Sequence, residues 1–167
     1  VTGQLQGNPV RIDIEEGVAM LGVDFILNAV VDERHCVVGA VAGDVIAAHR
    51  QGCELVAQRG TVSIPRRADV VLAGAGGYPK DLNLDQAQKA LDNAGHAVQS
   101  GGVIILVAEC GEGFGNQTFE TWMKDAHSPG DILERIQRGF VLNGHKTAAF
   151  ASVMKRAAFF IVSSIEY

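Results

Sequence analysis

The sequence has few cysteines and no long apolar run, and each shortage excludes a class of protein. Cys36, Cys53 and Cys110 are an odd number at wide spacings, which suits a reducing cytosol better than a disulfide framework. The apolar runs fall far short of a bilayer span, and no signal peptide is visible. We therefore expect a cytoplasmic globular protein without a membrane partner.

Basic residues are also in short supply. The chain has 14 Lys and Arg against 19 Asp and Glu, a formal net charge of -5. Phosphate backbones are bound by net basic surfaces, so this balance argues against nucleic acid as a partner. The dinucleotide fingerprint is missing, because Gly74-Ala-Gly76 lacks a third glycine at the required spacing, and no Gly-Lys-Ser/Thr occurs.

What the chain does contain is enough apolar material for one domain with a sizeable core. Apolar residues make up 47% of 167 residues, and neither a repeat nor a linker is visible. The chain starts without Met and stops five residues after the apolar run 159–162, which is typical of a piece of a longer protein. We predict a single α/β domain over residues 1–167, the carboxyl-terminal domain of a longer two-domain enzyme.

A strand–helix–strand pattern over residues 69–113 organises the fold. Residues 70–73 and 103–108 are short, rich in β-branched side chains and bounded by glycine, as buried strands are. The residues between them recur at helical spacing: Leu84, Ala87, Leu91, Ala94 and Val98. This length predicts a right-handed βαβ unit with parallel strands.

The flanking segments extend this unit. Residues 25–31 and 36–42 are β-rich runs joined by a four-residue loop, which predicts a hairpin. Helix starts are indicated at Asn8, Asp44, Asn116 or Thr118, Ser128, and Asn143 or His145. The expected fold is α/β, a doubly wound, mostly parallel sheet with helices on both faces and an antiparallel hairpin near the amino end.

Each strand of the central unit ends in a polar, glycine-rich loop, residues 74–81 and 109–115. The carboxyl ends of parallel strands share one edge of the sheet, where open α/β sheets bind their ligands. Gly76 and Gly77, before Tyr78, allow a ligand to approach the backbone closely, although a plain strand-to-helix turn explains them equally well.

Gln86 and Lys89 are the most informative polar pair. With Leu84 at angle zero and 100° of helix rotation per residue, the apolar side chains cluster near zero. Gln86 and Lys89 lie on the opposite side of the helix. One interpretation is a solvated helix face, with Gln86 in a capping box begun by Asn83. The other is a face that looks across a cleft, where Lys89 neutralises a carboxylate and Gln86 hydrogen-bonds a substrate oxygen.

Three further patterns each allow two interpretations. Cys110, between a buried strand and a glycine loop, is either a nucleophile or a small buried residue. His49 and Cys53, four apart on one helix, either share a metal or are an exposed histidine beside a buried cysteine. His145 and Lys146 are either a solvated helix start or a basic corner that binds a small carboxylate.

Several longer motifs occur in order along essentially the whole chain. They are Gly76-Gly-Tyr-Pro-x-Asp-x-Asn83, the Gln86-x-x-Lys89 that follows, Gly102-Val-Ile-Ile-x-x-Ala-Glu-Cys110, and shorter stretches at 7–11, 24–28, 39–44 and 48–53. Together they resemble the carboxyl-terminal domain of the nickel-dependent lactate racemase family.

The resemblance implies two α/β domains with the active site between them. It implies a nickel-pincer nucleotide (a pyridinium mononucleotide with two sulfur-bearing arms and nickel) held chiefly by the amino-terminal domain. The family's reaction removes a proton from the hydroxyl of a 2-hydroxyacid and moves hydride from C2 to the cofactor. The nickel ligand and the acid/base histidines belong to the other domain, so no metal ligand is expected here.

The resemblance also assigns residues. Gln86 and Lys89 match a Gln-x-x-Lys that faces the cleft, where the lysine helps to hold the substrate. Gly76, Gly77 and Tyr78 are weaker candidates for cofactor contact.

Two positions depart from the family pattern. Lactate racemases usually carry a tyrosine where this chain has Asp85, and a substrate-proximal tryptophan near residues 143–146. A negative Asp85 and a basic corner at His145 and Lys146 suggest a 2-hydroxyacid more polar than lactate.

The sequence thus predicts the carboxyl-terminal domain of a 2-hydroxyacid racemase or epimerase, inactive in isolation. Its expected partners are the amino-terminal domain of the same protein and a small 2-hydroxyacid. Two alternatives stay open: a cysteine-dependent hydrolase or transferase built on Cys110, and a non-catalytic ligand-binding α/β domain.

Overall fold

The computed structural model describes residues 3–32 and 34–164. Its helices and strands follow in the order α1 (Pro9–Leu21), β1 (Ile26–Val31), β2 (Val37–Gly43), α2 (Val45–Gly60), β3 (Ala68–Gly74), α3 (Leu84–Ala97), β4 (Val98–Val107), α4 (Gln117–Asp125), α5 (Pro129–Arg138), α6 (Gly144–Met154) and β5 (Ala158–Val162). They form two compact units, Val1–Ser63 and Ile64–Tyr167, each described by itself below. A single domain over 1–167 stays a prediction.

The first unit is an antiparallel hairpin of β1 and β2, both of which contact α2. Helix α1 begins at Pro9 because the Asn8 side chain accepts a hydrogen bond from the Val10 N–H, and proline needs no partner there. Asp44 caps α2 in the same way. The predicted amino-terminal hairpin is confirmed.

Charged side chains connect α1 to α2 within this unit. Arg11 Nε donates to Glu15 Oε1 at 2.9 Å, and Arg50 reaches the same carboxylate at 3.3 Å. The Arg11 guanidinium also lies 3.5 Å from Nε2 of His49. Burial lowers the pKa of His49 and the Arg11 charge lowers it further, while Glu15 acts in the opposite direction. These surroundings therefore favour the neutral form of His49.

The second unit is a parallel sheet in the order β3-β4-β5. Helix α3 joins β3 to β4, and α4 to α6 join β4 to β5, as parallel neighbours require. Side chains on one face of the sheet pack with α3 and α6 around fully buried Leu91, Leu106 and Phe150. The predicted α/β class, with its parallel sheet and flanking helices, is confirmed.

Alternate side chains of the same strands point the other way, as the period of two dictates. Five of these apolar side chains are between 43% and 71% exposed: Val70, Leu72, Val107, Phe160 and Val162.

In the part of the chain that the structure describes, no helix has the length and apolarity needed to cross a membrane.

Backbone hydrogen bonds join the two loops at the carboxyl edge of the sheet. The four bonds, 2.9–3.2 Å long, run from Cys110 N to Asp81 O, Glu112 N to Leu82 O, Leu84 N to Gly113 O, and Asp85 N to Phe114 O. The last two satisfy N–H groups in the first turn of α3, which have no partner inside the helix. We call residues 81–85 and 109–115 the loop junction. It fixes the point at which α3 begins.

Asn83 and Gly115 complete the loop junction. The Asn83 side chain is buried and accepts a hydrogen bond from the Gln86 N–H at 3.0 Å. Gly115 has a φ of 78°, and a Cβ added there would overlap the Asn83 carboxamide. Glycine at 115 is therefore needed for its backbone conformation and for the space it leaves.

Substituting Gly115 tests this contact, and Gly113 provides the matched control. Both glycines have positive φ, 78° and 63°, but a Cβ at 113 meets nothing within 4 Å. We expect Gly115→Ala to lower the free energy of unfolding by roughly 1–3 kcal/mol more than Gly113→Ala, because the cap must move. Urea unfolding measures both, and equal losses would show that Asn83 does not lie against Gly115.

Acid titration of stability tests the environment of His49. The pKa of His49 is lowered in the folded protein, so as the pH falls below about 6.5 the unfolded chain binds a proton before the folded protein does. The free energy of unfolding therefore decreases below that pH. We expect His49→Asn to reduce the loss of unfolding free energy between roughly pH 7 and pH 5. His35→Asn, at an exposed position of the same unit, is the matched histidine control. A His49→Asn curve parallel to wild type would contradict this.

Candidate functional site

The loop after β3 and one face of α3 line an open pocket of about 520 Å³. The loop contributes Gly74, Ala75, Gly76, Pro79 and Lys80, and the helix contributes Gln86, Lys89, Ala90 and Asn93. Its volume falls within the rough range of 300–1,000 Å³ typical of small-molecule sites. It lies at the edge of the sheet that the glycine-rich loops indicated.

The predicted pair Gln86 and Lys89 lies in this pocket. Lys89 Nζ donates a hydrogen bond to Oε1 of Gln86 at 2.9 Å, so the ammonium and the carboxamide stand side by side. Gln86 is half-buried and Lys89 is exposed. The bond leaves two ammonium hydrogens and the Gln86 amide hydrogens available to an acceptor. Asn83 caps the helix as predicted, because its side chain accepts from the Gln86 N–H. The side chain of Gln86, which a capping box would direct back to Asn83, accepts a hydrogen bond from Lys89.

The charge of the pocket is positive although the chain as a whole is acidic. Lys80 and Lys89 line it together with the amides of Gln86 and Asn93, and no carboxylate of the described residues does. Ammonium and amide donors suit a carboxylate ligand. They are not ligands for nickel, which binds nitrogen and sulfur donors of His and Cys or carboxylate oxygens.

Lys80 was not predicted from the sequence. It occupies an unassigned position of the Gly-Gly-Tyr-Pro motif, and its side chain folds back over Gly76. A Cβ added at Gly76 would lie 3.2 Å from Cδ and 3.8 Å from Nζ of Lys80. The sequence feature that could have identified Lys80 is its place in a loop at the carboxyl end of a strand, where a charged side chain can reach a ligand.

The weaker glycine and tyrosine candidates lie at the start of the same loop. Gly76 lines the pocket with a φ of 93°, and Gly77 follows with a φ of 73°. Tyr78 is 80% exposed, and the peptide bond to Pro79 is cis. Their contact with a cofactor stays a prediction.

The predicted basic corner of His145 and Lys146 lies beside Asp85, and Lys146 forms an ion pair with Asp85. Lys146 Nζ lies 2.7 Å from Oδ2 of Asp85 and thus links α6 to α3. The Asp85 side chain is only 8% exposed, and no described residue hydrogen-bonds its Oδ1. The His145 ring stacks on Phe140 with ring centroids 5.6 Å apart. None of these side chains belongs to the pocket lining, and their contact with substrate stays a prediction.

The described residues contain no metal-binding group of cysteines, and Cys110 is buried. Cys110 is 0% exposed and lies in the core cluster, and a nucleophile must reach its substrate, so this burial argues against a Cys110 hydrolase. Cys53 Sγ lies 3.6 Å from Nδ1 of His49. Within residues 3–32 and 34–164, no group of three or more His, Cys, Asp or Glu is placed to hold a metal ion.

Comparison with known protein families gives a clear match. The model of the lactate racemase C-terminal domain matches residues 64–159, which lie within the second unit. A lactate racemase from Thermoanaerobacterium thermosaccharolyticum is 39% identical over 135 residues, covering 81% of this chain and 32% of the relative. A lactate racemase from Lactiplantibacillus plantarum is 34% identical over 134 residues, covering 80% of this chain and 31% of the relative.

The fold is likewise shared with a solved structure. The lactate racemase apoprotein from Thermoanaerobacterium thermosaccharolyticum matches with a TM-score of 0.92 at 32% identity, over 95% of this chain and 39% of that one. The chain spans about a third of the length of the curated relatives it matches. The matched family model and the shared fold together show that the chain belongs to the family of lactate racemase C-terminal domains.

Proposed function

We propose that this chain is the substrate-contacting domain of a 2-hydroxyacid racemase or epimerase. The observation that carries the proposal is the cationic pocket in which Lys89 and Gln86 stand 2.9 Å apart beside a glycine-rich loop. The family supports this chemistry, because both curated relatives are named lactate racemase. The relatives extend well beyond the matched region, and we propose that a further domain of the same protein completes the site.

In this proposal Lys89 and Gln86 bind the carboxylate of the acid. The free hydrogens of the Lys89 ammonium and of the Gln86 amide donate to its two oxygens, and the positive charge strengthens both bonds. A hydrogen bond to a charged group contributes roughly 1.5–3 kcal/mol. Holding the carboxylate in this way orients the hydroxyl and C2 toward the facing domain, which is a positioning contribution to catalysis.

The family also implies a nickel-pincer nucleotide as the cofactor of the whole enzyme. The donors in the pocket are ammonium, carboxamide and backbone groups, which do not fit a nickel site, so we assign no nickel ligand and no step at the metal to this chain. We propose that the amino-terminal domain holds the nucleotide, and that the isolated domain is therefore inactive. Gly76, Gly77 and Tyr78 are the residues of this chain proposed to approach it.

Lys89→Ala in the full-length enzyme tests the proposal. We expect kcat/KM for the 2-hydroxyacid to fall roughly tenfold to a hundredfold, because a charge-assisted bond to the substrate is lost. The urea midpoint should not change, since Lys89 is exposed. Lys124→Ala, an exposed lysine of α4 paired with Glu120, is the matched control and should keep full activity.

Three outcomes separate the proposal from its rivals. Unchanged kinetics of Lys89→Ala would remove this lysine from the site. A large loss of activity in Cys110→Ser, with the fold intact, would favour the cysteine-dependent alternative. Ligand binding without any turnover in a full-length, nickel-loaded preparation would favour a non-catalytic binding domain.

A further inference from the structure

The pocket contains a second cation that the proposed function does not use. Lactate carries one negative charge, and Lys89 with Gln86 is enough to bind it. Lys80 lies in the same lining, and among residues 3–32 and 34–164 no acidic side chain does. We propose that the pocket selects a 2-hydroxyacid with a second carboxylate, and that Lys80 is the partner of that carboxylate. This inference rests on the proposed function and names the substrate class.

Lys80 is held in place by the backbone around it. The carbonyl of Gly77 accepts hydrogen bonds from the N–H groups of Lys80, at 2.8 Å, and of Asp81, at 3.2 Å. Asp81 is itself buried, and its Oδ2 accepts from the Glu109 N–H beyond the end of β4 at 3.2 Å. The turn that carries Lys80 is therefore anchored to the sheet, and its side chain crosses Gly76 into the pocket.

The charge balance around α3 singles out the same residue. Lys146 pairs with Asp85 at 2.7 Å, so its charge is already matched. Among the described residues, no carboxylate lies within ion-pair distance of Lys80 or Lys89, and the Lys89 partner, Gln86, is neutral. Two like charges around one pocket repel each other, and a dianion removes that repulsion where a monoanion removes only part of it.

The sequence suggested a more polar acid because of Asp85, His145 and Lys146. Lys146 is paired with Asp85 and lies outside the pocket lining, so we assign the second carboxylate to Lys80 instead.

The test compares malate, a 2-hydroxyacid with two carboxylates, with lactate on the full-length holoenzyme. We expect wild type to prefer malate in kcat/KM. Lys80→Gln should lower kcat/KM and affinity for malate roughly tenfold and change those for lactate less than about twofold. Lys80→Arg should retain the preference because it keeps the charge. Lys155→Gln, an exposed lysine beyond α6, controls for net charge and should change neither acid.

Calorimetric titration of each acid gives the affinities apart from turnover. Equal losses for malate and lactate in Lys80→Gln, or no loss for either, would overturn the inference. A wild-type enzyme that prefers lactate would overturn it too, yet leave the proposed function standing. Turnover of neither these acids nor other 2-hydroxyacids would sink the proposed function, and the inference with it.

Discussion

The hydrogen bonds of the loop junction decide where α3 begins, and the site depends on that point. Carbonyls of Gly113 and Phe114 and the side chain of Asn83 occupy the N–H groups of the first helical turn. A helix end that is already satisfied is a poor anion site, although open N-termini commonly serve as one. Recognition of an acid here therefore falls to side chains farther along α3 and to Lys80.

The same constraint sets the direction of the polar face. A helix advances 100° per residue, so a start shifted by one residue would turn Gln86 and Lys89 away from the loop after β3. Leu84, Ala87 and Leu91 are all buried against the sheet, which fixes the rotation from the opposite side. The capped start and the apolar face thus agree on a single orientation, with the polar pair lining the pocket.

Local patterns predicted the elements better than their ends. The helix starts at Asn8, Asp44 and Ser128 are confirmed, and of the two alternatives Asn116 and Thr118 the cap is Asn116, because a cap needs only residues two or three positions away. Strand β4 was expected over residues 103–108 and in fact begins at Val98. Glycines 101 and 102 break the apolar run, and the pairing of Val98 with Ala68 across the sheet extends the strand past them.

The features of the site likewise fall into those that local sequence patterns predict and those that depend on tertiary contacts. The place of Gln86 and Lys89 in the pocket follows from helical phase, which is a local property. The ion pair of Asp85 with Lys146 joins residues 61 positions apart, and the approach of Lys80 to Gly76 depends on a turn anchored by Asp81. The ion pair is a tertiary contact, and the local turn of Lys80 is held to the sheet by the bond from Glu109 N–H to the Asp81 carboxylate, so neither follows from spacing alone. A sequence therefore indicates which residues share a helix face, while the pairing of the Lys146 charge with Asp85 is known only once the tertiary structure is known.

The most direct test of this account is a crystal structure of the full-length protein with 2-hydroxy-2-methylpropanoate, an acid that has no hydrogen on C2 to transfer. The account predicts α3 starting at Leu84 and the carboxylate of the analogue within about 2.7–3.2 Å of Lys89 Nζ and the Gln86 amide. An analogue bound elsewhere, with Lys89 directed into solvent, would contradict it.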